Sequence, residues 1–281
     1  MNEQRFEIAG SLVFWQFGQS SELNRLRAAL ELHGFGDHCP ERMTDGAALR
    51  AALAEEFPGC KIFPVVSEKD KDAFEVVRVV ADDKEKNSYE HVLAASLTEH
   101  VVYTDNYDRD QILRLQTSFV GFVSTVPASQ LTKTMVAIVM SLGGVTMRPS
   151  GGIYWLNVDH WEKWQALCAS IEACGPKNRF DACRVVFDQN CIEAIKQALT
   201  NEIAREAKLI EETLNDPETG LRAAATAEKR AQALRSKISS YEEAFGVALS
   251  ELHHTMDEAT TIAAKAALMD SARAMLEYSQ S

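Results

Sequence analysis

The sequence has no long uninterrupted apolar stretch and no secretion signal at its beginning. The nearest candidate, residues 135–142, is much shorter than the roughly 18 apolar residues that a membrane-spanning helix needs. The first apolar run follows residues 1–5, is interrupted by Gln16 and shows no cleavage pattern. We therefore expect a soluble, cytoplasmic protein without a transmembrane segment.

The cysteines lack the spacing of a metal or redox site. They lie at positions 39, 60, 168, 174, 183 and 191, and no two form a C-x-x-C pair. Free cysteines beside apolar residues behave as small buried hydrophobes in a reducing compartment. His33, His38 and Cys39 lie close together, but no second pair of ligands at metal spacing accompanies them. The sequence predicts no metal site and no cofactor.

Basic residues are in the minority, with 29 Lys and Arg against 41 Asp and Glu and a net charge of −12 at pH 7. A protein that binds duplex nucleic acid neutralises phosphates with a basic face, so an acidic chain needs a local patch for this. Residues 67–110 and 201–281 hold most of the acidity. We expect solvated surfaces there, and the alternative is that the acidity mimics nucleic acid or attracts a basic partner.

Familiar catalytic and nucleotide-binding motifs are also missing. The sequence has no G-x-S-x-G, no H-E-x-x-H and no kinase signature. The glycine pairs at 143–144 and 151–152 are not phosphate-binding loops, because the first is expected to end a helix and the second to lie in a hairpin. Nucleotide binding by a known mode is therefore not expected.

The strongest acidic cluster combines Asp105, Asp108 and Asp110 with Glu99 and His100. Its spacing lacks the glycine and the distal glutamate of a calcium-binding loop. Its first expected role is to cap the helix that follows, where the helix dipole favours carboxylates. Catalysis by these carboxylates remains a third possibility.

The patterns that are present predict an α+β fold. Two amphipathic helices are expected before residue 58, the first capped by Ser20 or Ser21 and the second beginning at Thr44. Short β-branched runs then predict strands at 61–67, 74–82, 89–97 and 101–104. Because no regular βαβ alternation appears, we expect a meander-like antiparallel sheet with packed helices.

Residues 108–175 predict a subregion of two helices and a β-hairpin. The hairpin, residues 145–156, turns at a Pro-Ser-Gly-Gly sequence. A winged-helix module has the same order, with helix 131–142 in the major groove of DNA and Arg148 on a phosphate. Lys133 is the only cation of that helix, which favours a buried helix instead.

The last third of the chain has the strongest pattern. Apolar residues recur at steps of three and four in residues 191–214 and again in 218–245, on either side of a turn signal at 215–220. This spacing predicts an antiparallel coiled-coil hairpin, which we expect to be followed by a terminal helix. The predicted domains are an α+β part, 1–188, and a helical part, 189–281.

The C-terminal helices have more apolar surface than one hairpin needs, so we expect them to bind a protein partner or a second copy of the chain. In the hairpin before them, strand alternation sends Tyr154 and Trp155 to opposite faces. One is therefore expected in the core and the other exposed or at an interface, and a buried Trp155 would leave Tyr154, with Arg148 nearby, as the contact edge. The residues predicted to make interactions are Arg148, Tyr154, Leu234, Ile238, Tyr241 and Phe245.

Short glycine-rich motifs precede these helices, namely Gly143-Gly144-Val145, Arg148, Gly151-Gly152 and Tyr154-Trp155. With the helical hairpin after them, they resemble uncharacterised proteins of bacteriophages and other bacterial mobile elements. The resemblance covers about the second half of the chain. It implies a phage-related or defence context and assigns neither an activity nor any site residues.

These features favour a non-catalytic interaction or assembly protein, an adaptor or structural subunit that uses the helical hairpin to bind itself or a larger partner. The alternative is a winged-helix-like regulator that binds nucleic acid. An enzyme that uses the acidic cluster at 105–110 is the third candidate.

Overall fold

A computed structural model describes most of the chain. The described residues are 8–65, 72–81, 87–105, 108–148, 150–186, 189–215, 221–245, 249, 253, 254 and 257. They form two compact units, each assembled from separate stretches of sequence. Unit 1 contains the described residues of Met1–Trp15, Ile138–Gln165 and Phe180–Ser281, and unit 2 contains those of Gln16–Ala137 and Ala166–Arg179.

Strands and helices follow one another without the regular alternation of a parallel βαβ fold. The strands are β1 Ile8–Gln16, β2 Ser20–Glu22, β3 Lys61–Pro64, β4 Ala73–Ala81, β5 Asn87–Thr98, β6 Val101–Thr104, β7 Thr125–Pro127, β8 Val145–Thr146, β9 Tyr154–Asn157 and β10 Arg179–Val186. The helices are α1 Leu23–Leu32, α2 Asp45–Glu56, α3 Arg109–Ser124, α4 Ala128–Ser141, α5 Trp161–Glu172, α6 Gln189–Asn215 and α7 Leu221–Phe245. Each strand pairing with a described register is antiparallel, which confirms the predicted α+β class.

The predicted meander forms the main sheet of unit 2. Strands β3, β4, β5 and β6 lie in that order, and each is antiparallel to the next. Helices α2 and α3 pack on this sheet because their apolar faces share one core with its strands. The central members of this core are Leu49, Leu53, Val76, Leu93, Leu115 and Phe119.

One predicted helix start is confirmed and another is wrong. Thr44 Oγ1 accepts a hydrogen bond from the Ala47 backbone nitrogen at 3.4 Å, and α2 begins at the next residue. Ser20 and Ser21 instead belong to β2, which pairs with β7. The Asn178 side-chain amide donates to Ser21 Oγ at 2.8 Å, so a long-range bond uses the hydroxyl that was expected to cap α1.

Unit 1 contains a second sheet with the strand order β10-β1-β9-β8. Strand β9 pairs with both β1 and β8, and Val145 of β8 lies opposite Trp155 of β9. This pairing confirms the predicted hairpin. Gly151 and Gly152 in its turn have φ angles of 73° and 87°, which glycine adopts without a Cβ clash.

The two long helices of unit 1, α6 and α7, share an apolar cluster with the β8–β9 hairpin. The buried members from the helices are Ile195, Ala198, Leu199, Ile203, Ile210, Ala227, Ala231, Leu234, Ile238 and Tyr241. Most of these residues belong to the two apolar series recognised in the sequence. No helix within the described ranges combines the length and the apolar character needed to cross a membrane.

The region beyond α7 is described only at residues 249, 253, 254 and 257, so the predicted terminal helix lies mostly outside the described residues. Both units described here are assembled from several segments, and unit 1 includes residues from either side of position 188. The division into two domains, 1–188 and 189–281, that fold independently stays a prediction.

Candidate functional site

The turn that ends α4 is the centre of the most distinctive polar site in unit 1. Gly143 has a φ of +75°, which favours glycine. The next residue, Gly144, donates its backbone N–H to the Val139 carbonyl at 2.8 Å. A Cβ on Gly144 would lie 2.7 Å from that oxygen, so the close return of the chain requires glycine here.

A buried ion pair lies against this turn. Lys237 Nζ of α7 is 2.5 Å from Glu202 Oε1 of α6 and donates to the Gly144 carbonyl at 2.6 Å. The side chains of Lys237 and Glu202 are only 9% and 4% exposed. Burial lowers the pKa of Lys237, while the neighbouring Glu202 carboxylate opposes that shift. One ammonium group thus bonds to a side chain of α6 and to the backbone of the glycine turn.

Tyr241 makes a second bond from α7 to the same turn. It lies one helical turn after Lys237, and its hydroxyl donates to the Gly143 carbonyl at 2.7 Å. Its ring is 5.3 Å from the ring of Trp155. Burial raises the pKa of Tyr241 well above the usual range, so the phenol stays protonated and remains a donor.

An open cleft of about 670 Å³ adjoins the ion pair. Its apolar wall includes Leu142, Leu209 and Leu234, and its charged groups include Glu206 and Arg230. The carboxylate and the ammonium are bonded to each other through Glu202 Oε1, while Glu202 Oε2 is buried and has no hydrogen-bond partner among the described residues. The arrangement suits a structural role, in which these bonds fix the positions of α6, α7 and the glycine turn.

The structure places the predicted interaction residues mainly in the interior of unit 1. Leu234, Ile238 and Tyr241 belong to the apolar cluster that contains residues of both long helices. Arg148 lies at the tip of the β8–β9 hairpin, where its guanidinium donates to the Gly151 carbonyl. Phe245 ends α7, and its side chain lies outside the described part of the structure.

The expectation that only one of Tyr154 and Trp155 is buried is wrong. They are 5% and 1% exposed, respectively. The ring of Trp15 stacks on Tyr154 with 5.1 Å between the centroids, while Trp155 lies near Tyr241 of α7. Strand alternation does send the two side chains to opposite faces of β9. Both faces are covered within unit 1, one by Trp15 and the other by Tyr241.

The predicted acidic cluster is divided among separate structural roles. The Asp108 carboxylate accepts from the backbone nitrogens of Asp110 and Gln111, which confirms the predicted cap on α3. His100 instead forms an ion pair with Asp45 at 2.8 Å. These side chains therefore do not form one catalytic constellation.

Asp105 joins a surface cluster on the sheet of unit 2. Its Oδ2 is 2.8 Å from His91 Nε2, and its Oδ1 accepts from the Ala94 backbone nitrogen at 2.7 Å. On the other side of the imidazole, His91 Nδ1 is 3.2 Å from Glu75 Oε1. Hydrogen bonds to Glu75 and then to Asp105 raise the pKa of His91, because both favour the imidazolium.

Sequence reasoning missed Glu202 and Lys237, the two residues that form the buried ion pair of the site. Each is a charged residue next to a member of an apolar series, Ile203 in α6 and Ile238 in α7. Opposite charges beside the apolar faces of two paired helices are a signal for an ion pair across their interface. The apolar spacing alone does not distinguish such residues from charges on a solvated face.

The comparison with protein families covers almost the whole chain. The sequence model of a family of unknown function, DUF6744, matches residues 9–274. The chain belongs to this family. No curated protein and no solved structure matches it. The matched range includes Glu202, Lys237 and the glycine turn, so the candidate site lies within the DUF6744 region.

Proposed function

We propose that this protein is a non-catalytic interaction or assembly protein whose helices α6 and α7 form an antiparallel coiled-coil hairpin. The observation that carries the proposal is the bonding of Lys237, which joins α7 to Glu202 of α6 and to the turn at Gly144. A buried polar pair can select one register of two packed helices. A hairpin held in one register offers a partner a rigid surface.

The burial pattern along both helices supports the hairpin. The residues that α6 and α7 contribute to the shared apolar cluster are buried at helical spacing, as a seam between two helices requires. Glu202 and Lys237 also lie at similar distances along the chain from residues 216–220, which separate the helices. Residues that face each other across an antiparallel hairpin lie at similar distances along the chain from its turn.

Contacts from the residues after α7 support a terminal segment that packs against it. Glu242 Oε1 accepts from the Leu249 backbone nitrogen at 2.7 Å, and Glu242 Oε2 is 2.9 Å from His253 Nε2. Further along, Asp257 forms an ion pair with Arg235 at 2.5 Å. Several apolar residues expected to drive self-association lie outside the described residues, namely Leu252, Met256, Ile262 and Met269.

The other two functions have less support. Helix α4 buries Leu131, Met135 and Ile138, and Lys133 is its single cation, whereas a recognition helix needs exposed basic or amide side chains. The carboxylates of the acidic cluster are divided between the Asp108 cap on α3 and the contact of Asp105 with His91, which does not favour catalysis by a carboxylate pair. The phage or mobile-element context stays a prediction from the resemblance.

Sedimentation velocity over a micromolar concentration range tests self-association, the form of the proposal that needs no second protein. We expect a concentration-dependent oligomer that Leu209→Gln weakens, because Leu209 is 41% exposed on α6 beside the cleft. Leu113→Gln is the matched control, since it alters a leucine that is 64% exposed on α3 of unit 2. A protein that stays monomeric and shifts random duplex DNA in a salt-dependent way would contradict the proposal and favour the winged-helix alternative.

A further inference from the structure

A second, smaller cleft in unit 1 has a volume of about 150 Å³ and lies where the β8–β9 hairpin meets α6. Thr146, Met147 and Arg148 line it from the hairpin side. Its residues on α6 are Ala198, Asn201, Glu202 and Arg205. The spacing of these four residues places them on one face of the helix, so the cleft has two facing walls.

The hairpin holds the Arg148 guanidinium in place. Its Nε and Nη2 atoms donate to the Gly151 carbonyl at 3.2 Å and 3.0 Å. A Cβ on Gly152 would lie 3.1 Å from Nη2, so this glycine makes room for the guanidinium. Two bonds to one carbonyl fix the plane of the group and leave other N–H donors for a ligand.

The helix wall supplies two more donors. Asn201 Oδ1 already accepts from Gln197 Nε2 at 3.2 Å, which leaves the amide nitrogen of Asn201 to donate. Arg205 Nη2 is 3.6 Å from Glu206 Oε1, too far for a hydrogen bond, and its side chain is 54% exposed. Two arginines and one asparagine thus line the same small space.

The local charge is positive although the whole chain is acidic. Glu202 is the one carboxylate that lines this cleft, and its charge is balanced by Lys237 at 2.5 Å. Arg148 and Arg205 add two positive charges, of which the Glu206 carboxylate, 3.6 Å from Arg205, offsets one, so the local balance stays positive. Guanidinium groups bind tetrahedral oxyanions through paired N–H donors, and the size of the cleft suits a single such group.

We infer that this cleft binds a phosphate group, either inorganic phosphate or the terminal group of a small phosphomonoester. The inference is independent of the proposed assembly function, because the cleft lies within one chain. The two arginines and Asn201 bind the oxygens, and the paired glycines of the hairpin position Arg148.

Isothermal titration calorimetry at constant ionic strength tests this site with inorganic phosphate and phenyl phosphate as separate ligands and chloride as the reference. We expect phosphate binding that Arg205→Gln weakens by roughly tenfold to a hundredfold, the effect of losing one charge-assisted hydrogen bond. Arg148→Lys is expected to weaken binding as well, because the charge stays while the paired donors are lost. Stronger binding of phenyl phosphate would identify a phosphomonoester as the ligand, and weaker binding would identify the free anion.

Lys208→Gln is the matched control, since Lys208 lies on the same helix, is 74% exposed and does not line the cleft. It is expected to bind phosphate as the unaltered protein does. Thermal unfolding of each variant checks that its fold is intact. Absence of binding beyond the chloride reference, or equal weakening by Arg205→Gln and Lys208→Gln, would overturn the inference.

Discussion

Two clusters, each of which joins carboxylates to a basic group, show how burial changes the effect of similar bonds on stability. In unit 1, the side chains of Lys237 and Glu202 are 9% and 4% exposed. In unit 2, His91 lies between Glu75 and Asp105, and all three side chains are close to half exposed. Water screens the surface cluster and solvates any partner that loses its bond, whereas a buried charge has no such compensation. The lengths of the bonds alone therefore do not predict which of the two clusters contributes more to the free energy of unfolding.

Lys237→Met is expected to have the largest effect, a loss of roughly 3–5 kcal/mol in the free energy of unfolding, because it leaves Glu202 buried and uncompensated. Chemical denaturation measures this change. Adding Glu202→Leu to Lys237→Met is expected to recover much of the loss, since the buried charge is removed. Lys208→Met, at an exposed position of α6, is the control. A loss no larger than that of the control would contradict the comparison.

Leu234→Ala is expected to cost roughly 2–5 kcal/mol, because it removes apolar contacts and leaves a cavity beside the buried ion pair. Leu234 is 8% exposed, and Leu113, the control position, is 64% exposed. Urea denaturation of both alanine variants measures the difference. Equal losses for the two variants would show that the seam between α6 and α7 is not buried in solution.

Tyr241→Phe is expected to cost roughly 1–3 kcal/mol, because the Gly143 carbonyl loses its donor in a buried site. The matched variant Tyr103→Phe removes a hydroxyl from a side chain that is 53% exposed on β6, and little change is expected there. Thermal unfolding distinguishes the two. A neutral Tyr241→Phe would indicate that the hydroxyl does not hold the glycine turn.

His91→Gln is expected to have the smallest effect and the clearest dependence on pH. The folded pKa of His91 is raised, so its stabilising effect is fully present below the unfolded value of about 6.5 and is lost as pH rises through the folded pKa. Burial alone would raise the pKa of Asp105, but hydrogen bonds from the Ala94 backbone and His91 outweigh it and lower the pKa. The Asp105 contribution is therefore lost in acid, as pH falls through its folded pKa.

Denaturation of the unaltered protein and of His91→Gln across this pH range measures the difference between them. It should be greatest in mildly acidic solution, shrink towards alkaline pH and decrease with added salt. A difference that is independent of both pH and salt would contradict the assignment of this cluster. The Lys237→Met effect, by contrast, should persist in salt, because the side chains of Lys237 and Glu202 are only 9% and 4% exposed.

Local patterns predicted much of the fold. The apolar spacing at Leu49 and Leu53 predicted α2, and the β-branched runs predicted the meander of unit 2 within a few residues. The Thr44 and Asp108 caps were also predictable, because a cap is a bond between residues close in sequence. The same is true of the β8–β9 hairpin, whose turn requires residues that tolerate positive φ.

Features that depend on distant residues were not predictable from one sequence. Ser20 or Ser21 was expected to cap α1, but both belong to β2, and the Asn178 amide bonds to the Ser21 hydroxyl. Tyr154 was expected at a surface, but Trp15 stacks on it from a strand far away in sequence. The Glu202–Lys237 pair had a local signal in both helices, yet its burial depends on the packing of α6, α7 and the glycine turn.

A disulfide between Ile210→Cys and Ala227→Cys tests the proposed α6–α7 hairpin most directly. The two residues are 1% and 3% exposed and belong to one apolar cluster, near the ends of the helices that residues 216–220 separate. Mild oxidation followed by peptide mass spectrometry identifies the bond and distinguishes it from bonds to the six native cysteines. The control pairs Ile210→Cys with Ser239→Cys, which lies much further along α7. Efficient crosslinking within one chain for the first pair and not for the control is the predicted result, whereas equal crosslinking of both pairs, or none in either, would contradict the hairpin.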